Sequence, residues 1–484
     1  MAPTVAQAPA CTGLAPGTVR LLLSLKQPLT VEAYVTRGTR KLDAFVQELE
    51  RVLTEFERAG NGKLSIRIID VRTDQQLQAA KDAGIKEQTF EQSPGKHMGL
   101  AFRYGAQKDT YPALSPDQLE GLEFGVAKVI RDLRDQTDGI RRRIGVLSGK
   151  DELDIRTPEL IAANPKAPSM QGIVTQTFPF VQFETVDLRG GAAEIDRGLQ
   201  ALIITQPGSD FTEPELTRID EFVLRGKSLA VFASAVNLRA ADASMKASLS
   251  THGLDQLLRG YGIEMIREAV LDWNNQRIPI VNEKGATLWI RAPGLAVPKH
   301  TQGLRPSEQT LNTDFPGFIH LDELAVPFPS GLIIHPQRQP RARFTTIART
   351  TPGATAVSGD IVDFRPSRDA KPIPPFETRD IAVAVEGTLT RSIAAGKPDA
   401  AGVTGASSRV IVVSSSCFLA NPYARAGKAA GTAAADEMLE EISEPYAMHY
   451  LTNTILSFKN ILDWLTEDRD MADPISRLPA TCTR

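Results

Sequence analysis

The sequence predicts an α/β protein with a parallel sheet that is covered by helices on both faces. The segment Ala201–Ala235 is the first observation, because two apolar runs, ALIIT and SLAVFAS, flank an amphipathic helical stretch. A strand, a crossover helix and a second strand form a βαβ unit, which requires parallel strands. The second observation is the same alternation near the N-terminus, where LTVEAYV and LSIRIIDV flank a helical stretch. Two βαβ units in one chain indicate the α/β class.

The helix of the central unit is predicted from its apolar period. Apolar residues recur every three or four positions over Leu216–Leu224, which indicates a helix with one buried face. Glu215 lies in its first turn, where the helix dipole favours negative charge. Gly226 follows the helix as a C-terminal cap, and the polar turn Pro207–Asp210 ends the strand before it.

Residues 18–140 are predicted to form a small α/β domain of thioredoxin-like character. A helix over Lys41–Ala59 separates its first two strands, and the strands MGLAFRYG and KDTYPAL precede a closing helix over Pro116–Asp135. The domain has no CxxC motif, so no redox chemistry is predicted for it. Residues 1–17 are predicted to be a disordered leader.

Residues 141–275 are predicted to be the first part of a doubly wound domain, and residues 407–468 are predicted to complete it. Besides the central unit, its predicted elements are the strand RIGVLSG, a helix over Ser169–Phe178, a strand over Phe183–Leu188, a helix over Gly253–Tyr261, the edge segment GIEMIREAVLD, the strand SSRVIVV and a helix over Tyr446–Leu465.

Residues 276–406 differ from the rest of the chain in composition and in hydrophobic pattern. Proline and glycine become frequent, and short alternating segments such as TLWIR, FIHLDELAV and GLIIHP replace long helical periods. We expect a β-rich region that is either inserted in the doubly wound domain or packed against it. Its last part, Ala394–Ala406, is predicted to be a flexible link. The tail at 469–484 has no pattern that predicts structure.

Length and charge limit the classes of protein to which the chain can belong. At 484 residues it exceeds one ordinary core, so two or three domains are expected. Its 55 Lys and Arg against 58 Asp and Glu give a formal net charge of -3, which does not favour a nucleic-acid partner. The basic run Arg141–Arg143 follows several aspartates, which predicts a charge-paired surface. No apolar run of about 18 residues occurs, so no segment is predicted to span a bilayer.

The spacing of cysteines and histidines predicts no metal site, and no cofactor is assigned. Cys11, Cys417 and Cys482 lie too far apart for a metal motif, and the six histidines show no HExxH pattern. The sequence also has no GxGxxG motif and no P-loop. A disulfide between Cys11 and Cys482 requires the chain ends to meet, and free thiols are the favoured interpretation.

Several segments, in their order and spacing, resemble the extracytoplasmic part of GldG-type proteins, the gliding-motility-associated auxiliary subunits of ABC-2 type transporters. The resemblance implies a thioredoxin-like region followed by a domain similar to class I glutamine amidotransferases. It also implies similarity to the N-terminal part of an intraflagellar-transport subunit. The matching segments are LAPGTVRLLLSLKQPLTVEAYVT, RRRIGVLSGKDE, ALIITQP with LTRIDEFVLRGKSLAVF, YGIEMIREAVLD, SSRVIVVSSSCFLAN and NTILSFKNILDWLTEDRDM.

The same resemblance implies partners and a location. The partners are a membrane permease and, through it, a cytoplasmic ATPase, on the periplasmic side of a bacterial cytoplasmic membrane. Relatives usually carry transmembrane helices outside the first and last matching segments, so this sequence is expected to be an ectodomain without its anchors. Cys11 and Cys482 would then lie near one membrane surface, which favours their disulfide more than spacing alone does. Homo-oligomerisation and a glycan or peptide ligand are further candidates.

A ligand crevice is predicted beyond the carboxyl ends of the parallel strands, where open α/β sheets bind their ligands. The candidate residues are Ser148, Gly149, Lys150, Glu152, Pro207, Ser209, Ser234, Ser415, Ser416 and Cys417. Lys150 and its acidic neighbours offer contacts to an anion or a sugar hydroxyl, although a solvated turn is the favoured interpretation. Trp273 and Trp289 offer stacking surfaces for a carbohydrate, although packing is favoured for both.

Cys417 is the one candidate nucleophile, because it follows a buried strand and could be activated on a tight turn. An amidotransferase would need a Gly-x-Cys-x-Gly elbow, whereas SSSCFLA has no flanking glycines and His449 is the one later histidine. The resemblance also implies that relatives carry an acidic residue at this position. Cys417 is therefore predicted to be a packing residue, and no catalytic residue is assigned.

Three functions follow as hypotheses. The first is a non-enzymatic extracytoplasmic domain of an ABC-type transport complex, which binds a substrate, an envelope component or a partner protein. The second is a hydrolase or amidotransferase-like enzyme that uses Cys417. The third is a protein-docking scaffold without a small ligand.

Overall fold

A computed structural model describes residues 13–14, 16–38, 40–90, 93–115, 122–162, 166–178, 180–238, 244–274, 277–281, 287–301, 303–319, 321–366, 371–393, 406–424 and 437–466. The described residues up to Arg141 form one compact unit, and Arg142–Thr466 form a second. Helices and several sheets occur in the described residues of both units, so the chain is mixed α/β, as the sequence predicts.

The first unit has a four-stranded sheet in the order β2-β1-β5-β6. β1 and β2 are parallel, whereas β5 is antiparallel to both β1 and β6. The predicted order of a βαβ unit, a strand pair and a helix is therefore confirmed. The elements are α1 Pro16–Ser24, β1 Leu29–Val35, α2 Arg40–Ala59, β2 Leu64–Asp70, α3 Asp74–Asp82, β3 Glu87–Phe90, β4 Ser93–His97, β5 Gly99–Tyr104, β6 Gln107–Tyr111 and α4 Leu122–Asp138.

Two parts of the first unit have no counterpart in the prediction. α1 begins at Pro16, inside the predicted leader, and Leu21, Leu22 and Leu25 join the core. The hairpin of β3 and β4 has the sequences EQTF and SPGKH, which lack apolar alternation and include proline and glycine. Such strands carry no local signal, because burial of one face is what produces alternation.

The elements of the second unit are β7 Arg142–Ser148, α5 Glu159–Ala162, α6 Met170–Thr177, β8 Val181–Asp187, β9 Ala201–Thr205, α7 Glu213–Leu224, β10 Ser228–Phe232, β11 Val236–Asn237, β12 Lys246–Leu249, α8 Leu254–Gly260, β13 Ile263–Met265, β14 Ala269–Asp272, β15 Arg277–Val281, β16 Thr287–Arg291, β17 Leu295–Ala296, β18 Val326–Pro327, β19 Leu332–Ile334, β20 Ala342–Arg349, β21 Ala354–Val357, β22 Ile361–Asp363, β23 Asp380–Thr388, β24 Ser407–Val413 and α9 Glu437–Thr466. Short 3₁₀ turns occur at Arg189–Gly191, Pro306–Glu308, Pro316–Phe318 and Pro336–Arg338.

The core of the second unit is a nine-stranded sheet in the order β13-β19-β23-β24-β10-β9-β7-β8, with β20 also paired to β23. The five strands from β24 to β8 are all parallel. In chain order these five are arranged 2-1-3-4-5, so the direction of winding reverses between β7 and β9. Such a reversal is the topological switch point at which open α/β sheets place their ligands.

Helices pack on both faces of this sheet. Residues of α7 and α8 pack with Leu202, Leu229 and Val410 on one face. On the other face, Phe458 of α9 stacks edge-on against Phe232 of β10 at 5.7 Å. The predicted strand, helix and strand of the central unit are confirmed as β9, α7 and β10. Thr212 and Glu215 form a capping box at the start of α7, and Gly226 follows its end with φ 83°.

Strands from the predicted β-rich region join the central sheet. β23 pairs antiparallel with β24, and β19 and β20 both pair with β23. Other strands of this region form small separate sheets, such as the hairpin of β15 and β16. Among the described residues of FIHLDELAV, only Val326 belongs to a strand, as the first of the two residues of β18. The predicted link at 394–406 lies outside the described residues except for its last position.

α9 differs from the prediction in length. It begins at Glu437 and is 30 residues long, with Pro445 inside it, whereas the sequence pattern predicts a start at Tyr446. Proline disfavours a helical conformation in the residue before it, yet the helix continues through Pro445. None of the helices in the described part of the chain is long and apolar enough to cross a membrane.

Candidate functional site

The loop after β7 turns sharply at the carboxyl edge of the sheet. Gly149 has φ 103° and Asp151 has φ 59°, so two residues of this loop adopt left-handed conformations. A Cβ atom at Gly149 would lie 3.0 Å from the Asp187 carboxylate. The backbone conformation at position 149 therefore favours glycine, and any side chain there would also have to displace the Asp187 carboxylate slightly.

Lys150 joins the loop after β7 to the loop after β9. Its ammonium lies 2.6 Å from Glu215 Oε2 and donates to the Asp210 carbonyl at 3.0 Å. Gly208 N donates to the Lys150 carbonyl at 2.8 Å, and Ser209 Oγ donates to the same oxygen at 3.4 Å. These bonds close the edge of the sheet directly above the β7–β9 switch point. Lys150 therefore serves as a structural bridge, and its charge is neutralised within the protein.

Replacing Lys150 by methionine is expected to lower the free energy of unfolding by about 2–3 kcal/mol, because Glu215 would remain almost buried without its counter-charge. The exposed Lys246→Met is the matched control and is expected to leave stability unchanged. Equilibrium urea unfolding measures both. Equal stability of the two variants would contradict the structural role of Lys150.

The same variant is expected to change the pH dependence of stability. Burial alone raises the pKa of Glu215, but the hydrogen bonds from Lys150 and Thr212 outweigh it and hold the pKa below its usual value. A lowered folded-state pKa gives stability that is present above the unfolded-state pKa and is lost as pH falls through the folded-state pKa. The advantage of the wild type over Lys150→Met should therefore shrink on acidification.

The carboxyl ends of β10 and β24 are sealed by the segment Val326–Ser330. Ser234 Oγ donates to the Phe328 carbonyl at 2.9 Å, and Ser415 Oγ donates to the Pro327 carbonyl at 2.5 Å. Both serines are buried, with 2% and 0% exposure, so their hydroxyls hold this segment in place. The predicted crevice is thus filled by the chain itself over these two strands.

Cys417 lies in the buried cluster behind this seal. Its exposure is 0%, and its thiol contacts the Leu238 carbonyl at 3.6 Å and the Ser416 hydroxyl at 3.8 Å. Burial raises the pKa of the Cys417 thiol to about 12, so the thiol stays protonated at neutral pH. The His449 side chain is 64% exposed and lies 2.9 Å from Glu323. This arrangement contains no nucleophile–base pair of Cys417 and His449.

Cys417 is expected to resist alkylation in the native protein and to react once urea unfolds it. The reason is that neither solvent nor reagent reaches a fully buried, protonated thiol. Mass spectrometry of the peptide that contains Cys417, before and after unfolding, measures this directly. Rapid native labelling that increases with pH and disappears in His449→Ala would contradict the packing role and support an enzyme.

An open cleft lies beside the bridge, above β7 and β8, with a cavity volume of about 430 Å³. Small-ligand sites have about 300–1,000 Å³, so this cleft has the size of a binding site. Its walls are formed by Val146, Leu147, Ser148, Gly149, Asp151, Glu152, Leu153, Asp154, Arg156, Gln171, Phe183, Glu184 and Thr185.

One ion pair orders the rim of the cleft. Arg156 donates from Nε to Asp154 Oδ1 at 2.8 Å and from Nη2 to Oδ2 at 2.9 Å. Its Nη1 donates to Thr185 Oγ1 at 3.1 Å, so the guanidinium links the loop after β7 to β8. Glu152 accepts from the Lys150 backbone N–H at 2.9 Å, and burial is the main cause that raises the pKa of Glu152.

The structure divides the predicted crevice residues into three groups. Ser148, Gly149 and Glu152 line the open cleft. Lys150 and Ser209 belong to the bridge between loops, next to buried Pro207. The buried, sealed side of the sheet edge holds Ser234, Ser415, Ser416 and Cys417.

Several cleft residues have no counterpart in the prediction. Arg156 and Asp154 follow the predicted loop by a few residues, and their signal is the polar stretch KDELDIR. Phe183 and Thr185 alternate along β8, and the register places Thr185 opposite Val146 of β7. Strand alternation gives their common face, but pairing between strands is needed to bring them beside the loop.

The two tryptophans have different environments. Trp273 Nε1 donates to Thr355 Oγ1 at 2.9 Å, as expected of a packed indole. Trp289 is 56% exposed on the hairpin of β15 and β16. Neither tryptophan lines the cleft. In the described ranges, no group of three or more His, Cys, Asp or Glu residues has an arrangement that could hold a metal ion.

The second unit thus combines a mixed sheet, in which five neighbouring strands are parallel, with an open cleft at β7 and β8. The family model for an ABC-type uncharacterized transport system matches residues 141–450, and the chain belongs to this family of transport auxiliary components. The resemblance to an ABC transporter auxiliary protein is thereby confirmed. A second family model, described as a domain of unknown function, matches residues 13–102.

Three solved structures match this chain with low sequence identity and low TM-scores. The mmIFT52 N-terminal domain is 13% identical with a TM-score of 0.35, and the match covers 67% of this chain and 98% of that chain. A putative ThuA-like protein from Parabacteroides merdae ATCC 43184 is 10% identical with a TM-score of 0.22, over 56% of this chain and 78% of that one.

The exo-beta-1,4-mannosidase Op5Man5 from Opitutaceae bacterium strain TAV5 is 11% identical with a TM-score of 0.23, over 83% of this chain and 51% of that chain. A comparison with curated proteins gives no match. Structural similarities at these scores carry no argument about function.

Proposed function

We propose that this chain is a non-enzymatic auxiliary subunit of an ABC transport complex, and that it binds a substrate, an envelope component or a partner protein in the cleft above β7 and β8. The observation that carries the proposal is the contrast between the two halves of the sheet edge. The half above β7 and β8 is an open polar cleft, whereas the half with Cys417 is closed and buried. Binding without catalysis fits this arrangement best.

The partners in this proposal are a membrane permease and, through it, a cytoplasmic ATPase, and membership of the transport auxiliary family supports them. The sequence has no P-loop, so the ATPase would be a separate subunit. Ligand binding would be coupled to movement of the domains during the ATPase cycle. A homo-oligomer and a glycan or peptide ligand remain within this proposal.

The finer identity belongs to the same proposal. It comprises a GldG-type protein, a role in gliding motility, and a position on the periplasmic side of the cytoplasmic membrane. It also comprises a thioredoxin-like domain at 18–140 and an amidotransferase-like domain at 141–275 and 407–468. The strand order of each unit supports these assignments.

Co-purification tests the proposal. The protein, tagged in its native cells and recovered from their membrane fraction with mild detergent, is expected to bring down an ABC-2 type permease and its ATPase in fixed ratio. A tagged, unrelated extracytoplasmic protein from the same cells is the control. Recovery without permease and ATPase, or hydrolysis of a substrate by the chain alone, would contradict the proposed function.

A further inference from the structure

We propose that the cleft above β7 and β8 recognises an uncharged, hydroxyl-rich group, such as one sugar unit of a larger glycan. The inference rests on the proposed function, because it specifies the ligand of the same cleft. Its basis is the hydrogen-bonding capacity that the cleft residues have left after their contacts within the protein.

The first step concerns Arg156 and Thr185. Arg156 uses three of its five N–H groups on Asp154 and Thr185, so two N–H groups remain for a ligand. Thr185 accepts from Arg156 through Oγ1, and its own O–H can donate. The hydrogen bonds to Asp154 and Thr185 orient the guanidinium across the cleft, so the remaining donors face a defined direction.

The second step concerns Gln171, which approaches the same cleft from α6. Its side-chain amide makes no hydrogen bond within the described part of the chain, although it is only partly exposed. An amide supplies both donors and an acceptor. Together, Arg156, Thr185 and Gln171 offer a ligand more hydrogen-bond donors than acceptors.

The third step excludes charged ligands. Among the described residues at the cleft, Arg156 is paired with Asp154 and Lys150 is bound to Glu215, so neither cation offers an uncompensated charge to an anion. An ammonium group donates hydrogen bonds but cannot accept them, so it could not satisfy the N–H groups of Arg156. A hydroxyl group both donates and accepts, and therefore fits this array.

The fourth step concerns the apolar part of the wall. Val146 and Thr185 are paired neighbours, and Phe183 lies two positions before Thr185 on the same strand face. Phe183 is partly exposed, and its ring is stacked against Phe458 at 6.3 Å between centroids. A sugar ring presents C–H groups as well as hydroxyls, so it matches a wall that combines a fixed aromatic ring with polar groups.

Ligand titrations followed by NMR test this inference. The probes are the neutral sugars glucose, mannose, galactose and N-acetylglucosamine, with glucosamine and glucuronate as their charged counterparts. At least one neutral sugar should bind at the cleft, and at least about 10-fold more tightly than either charged sugar, since each unmatched polar group costs one to a few kcal/mol.

Variants locate the binding site. Thr185→Val and Gln171→Ala are each expected to weaken sugar binding by about 3- to 10-fold, the loss that one hydrogen bond produces. Thr217→Val, the same substitution on α7 and outside the cleft, is expected to change nothing. Circular dichroism confirms that each variant is folded.

Three results would overturn the inference: no neutral sugar binds, a charged sugar binds more tightly, or the cleft variants bind as the wild type does. None of these results would overturn the proposed transport role, because co-purification with the permease does not depend on the ligand. Loss of co-purification with intact sugar binding would instead overturn the transport role and leave the ligand class standing.

Discussion

Replacing Asp220 by alanine is expected to lower the free energy of unfolding of the second unit by about 2–4 kcal/mol. Asp220 has 0% exposure and accepts from Tyr261 Oη at 2.7 Å, from Ser392 N at 3.1 Å and from Ile393 N at 3.3 Å. Alanine would leave these three donors without that partner, and an unsatisfied buried donor costs about 1–3 kcal/mol. The buried carboxylate also carries a desolvation cost, which offsets part of the loss.

Asp220→Asn is the matched comparison, because asparagine keeps the size and one acceptor oxygen. It is expected to cost less than the alanine variant. Urea unfolding of both variants, read by tryptophan fluorescence and circular dichroism, gives the difference. If Asp220→Ala were as stable as the wild type, the segment around Ser392 would not depend on this carboxylate.

The wild type and Asp220→Asn should also differ in how their free energy of unfolding depends on pH. Burial raises the pKa of Asp220, and the hydrogen bonds from Tyr261 and the backbone do not fully reverse this effect. A raised folded-state pKa gives stability that is fully present below the unfolded-state pKa and is lost as pH rises through the folded-state pKa. The stability of the wild type relative to Asp220→Asn should therefore decrease as pH rises from acidic to neutral values.

Asp463→Ala is expected to cost about 3–5 kcal/mol, because it removes one partner from a buried ion cluster. Asp463 Oδ1 lies 2.7 Å from Arg142 Nη1, and Oδ2 lies 2.5 Å from Lys459 Nζ. All three side chains are almost fully buried. The cluster ties the end of α9 to the start of β7, so the loss should appear as destabilisation of the whole second unit.

Glu308→Ala is the control for Asp463→Ala. Glu308 pairs with Arg305 on the surface, so its removal is expected to leave the unfolding midpoint unchanged. Thermal unfolding of both variants measures the contrast. Similar midpoints for the two would show that the buried cluster contributes no more than a surface ion pair.

Elements whose burial is local were predictable from the sequence, whereas pairing between distant strands was not. β9 and β10 have continuous apolar runs, because both faces of these strands are buried. The helix α7 between them has a clear N-terminal capping box. β19, β20 and β23 lie in the region expected to be inserted in the doubly wound domain or packed against it, and they extend the central sheet. Their alternation predicts strands but contains no information on which strand they pair with.

The candidate site shows the same limit. The rule that ligands bind beyond the carboxyl ends of parallel strands pointed to Ser148 and Gly149, and β7 ends at Ser148 because its apolar run ends there. The same rule could not distinguish an open cleft from a sealed one. The segment Val326–Ser330 that covers Ser234 lies almost a hundred residues later in the chain, and the hydrogen bond from Ser234 Oγ to the Phe328 carbonyl forms only in the folded protein. Lys150 likewise gave no sign of its partner Glu215, which is distant in sequence and adjacent only in the folded chain.

The position of β24 determines when the central sheet can be completed during synthesis of the chain. β24 lies between β10 and β23, and it is the only strand that joins the β7–β10 half of the sheet to the β23 half within the described residues. As the chain leaves the ribosome, β10 therefore keeps an unpaired apolar edge until residues beyond Val413 have been made. Such long-range closure slows folding and exposes a strand edge that other chains can pair with. A nascent chain that stops before Ser407 should accordingly bind chaperones or aggregate, whereas one that extends past Val413 can complete the sheet.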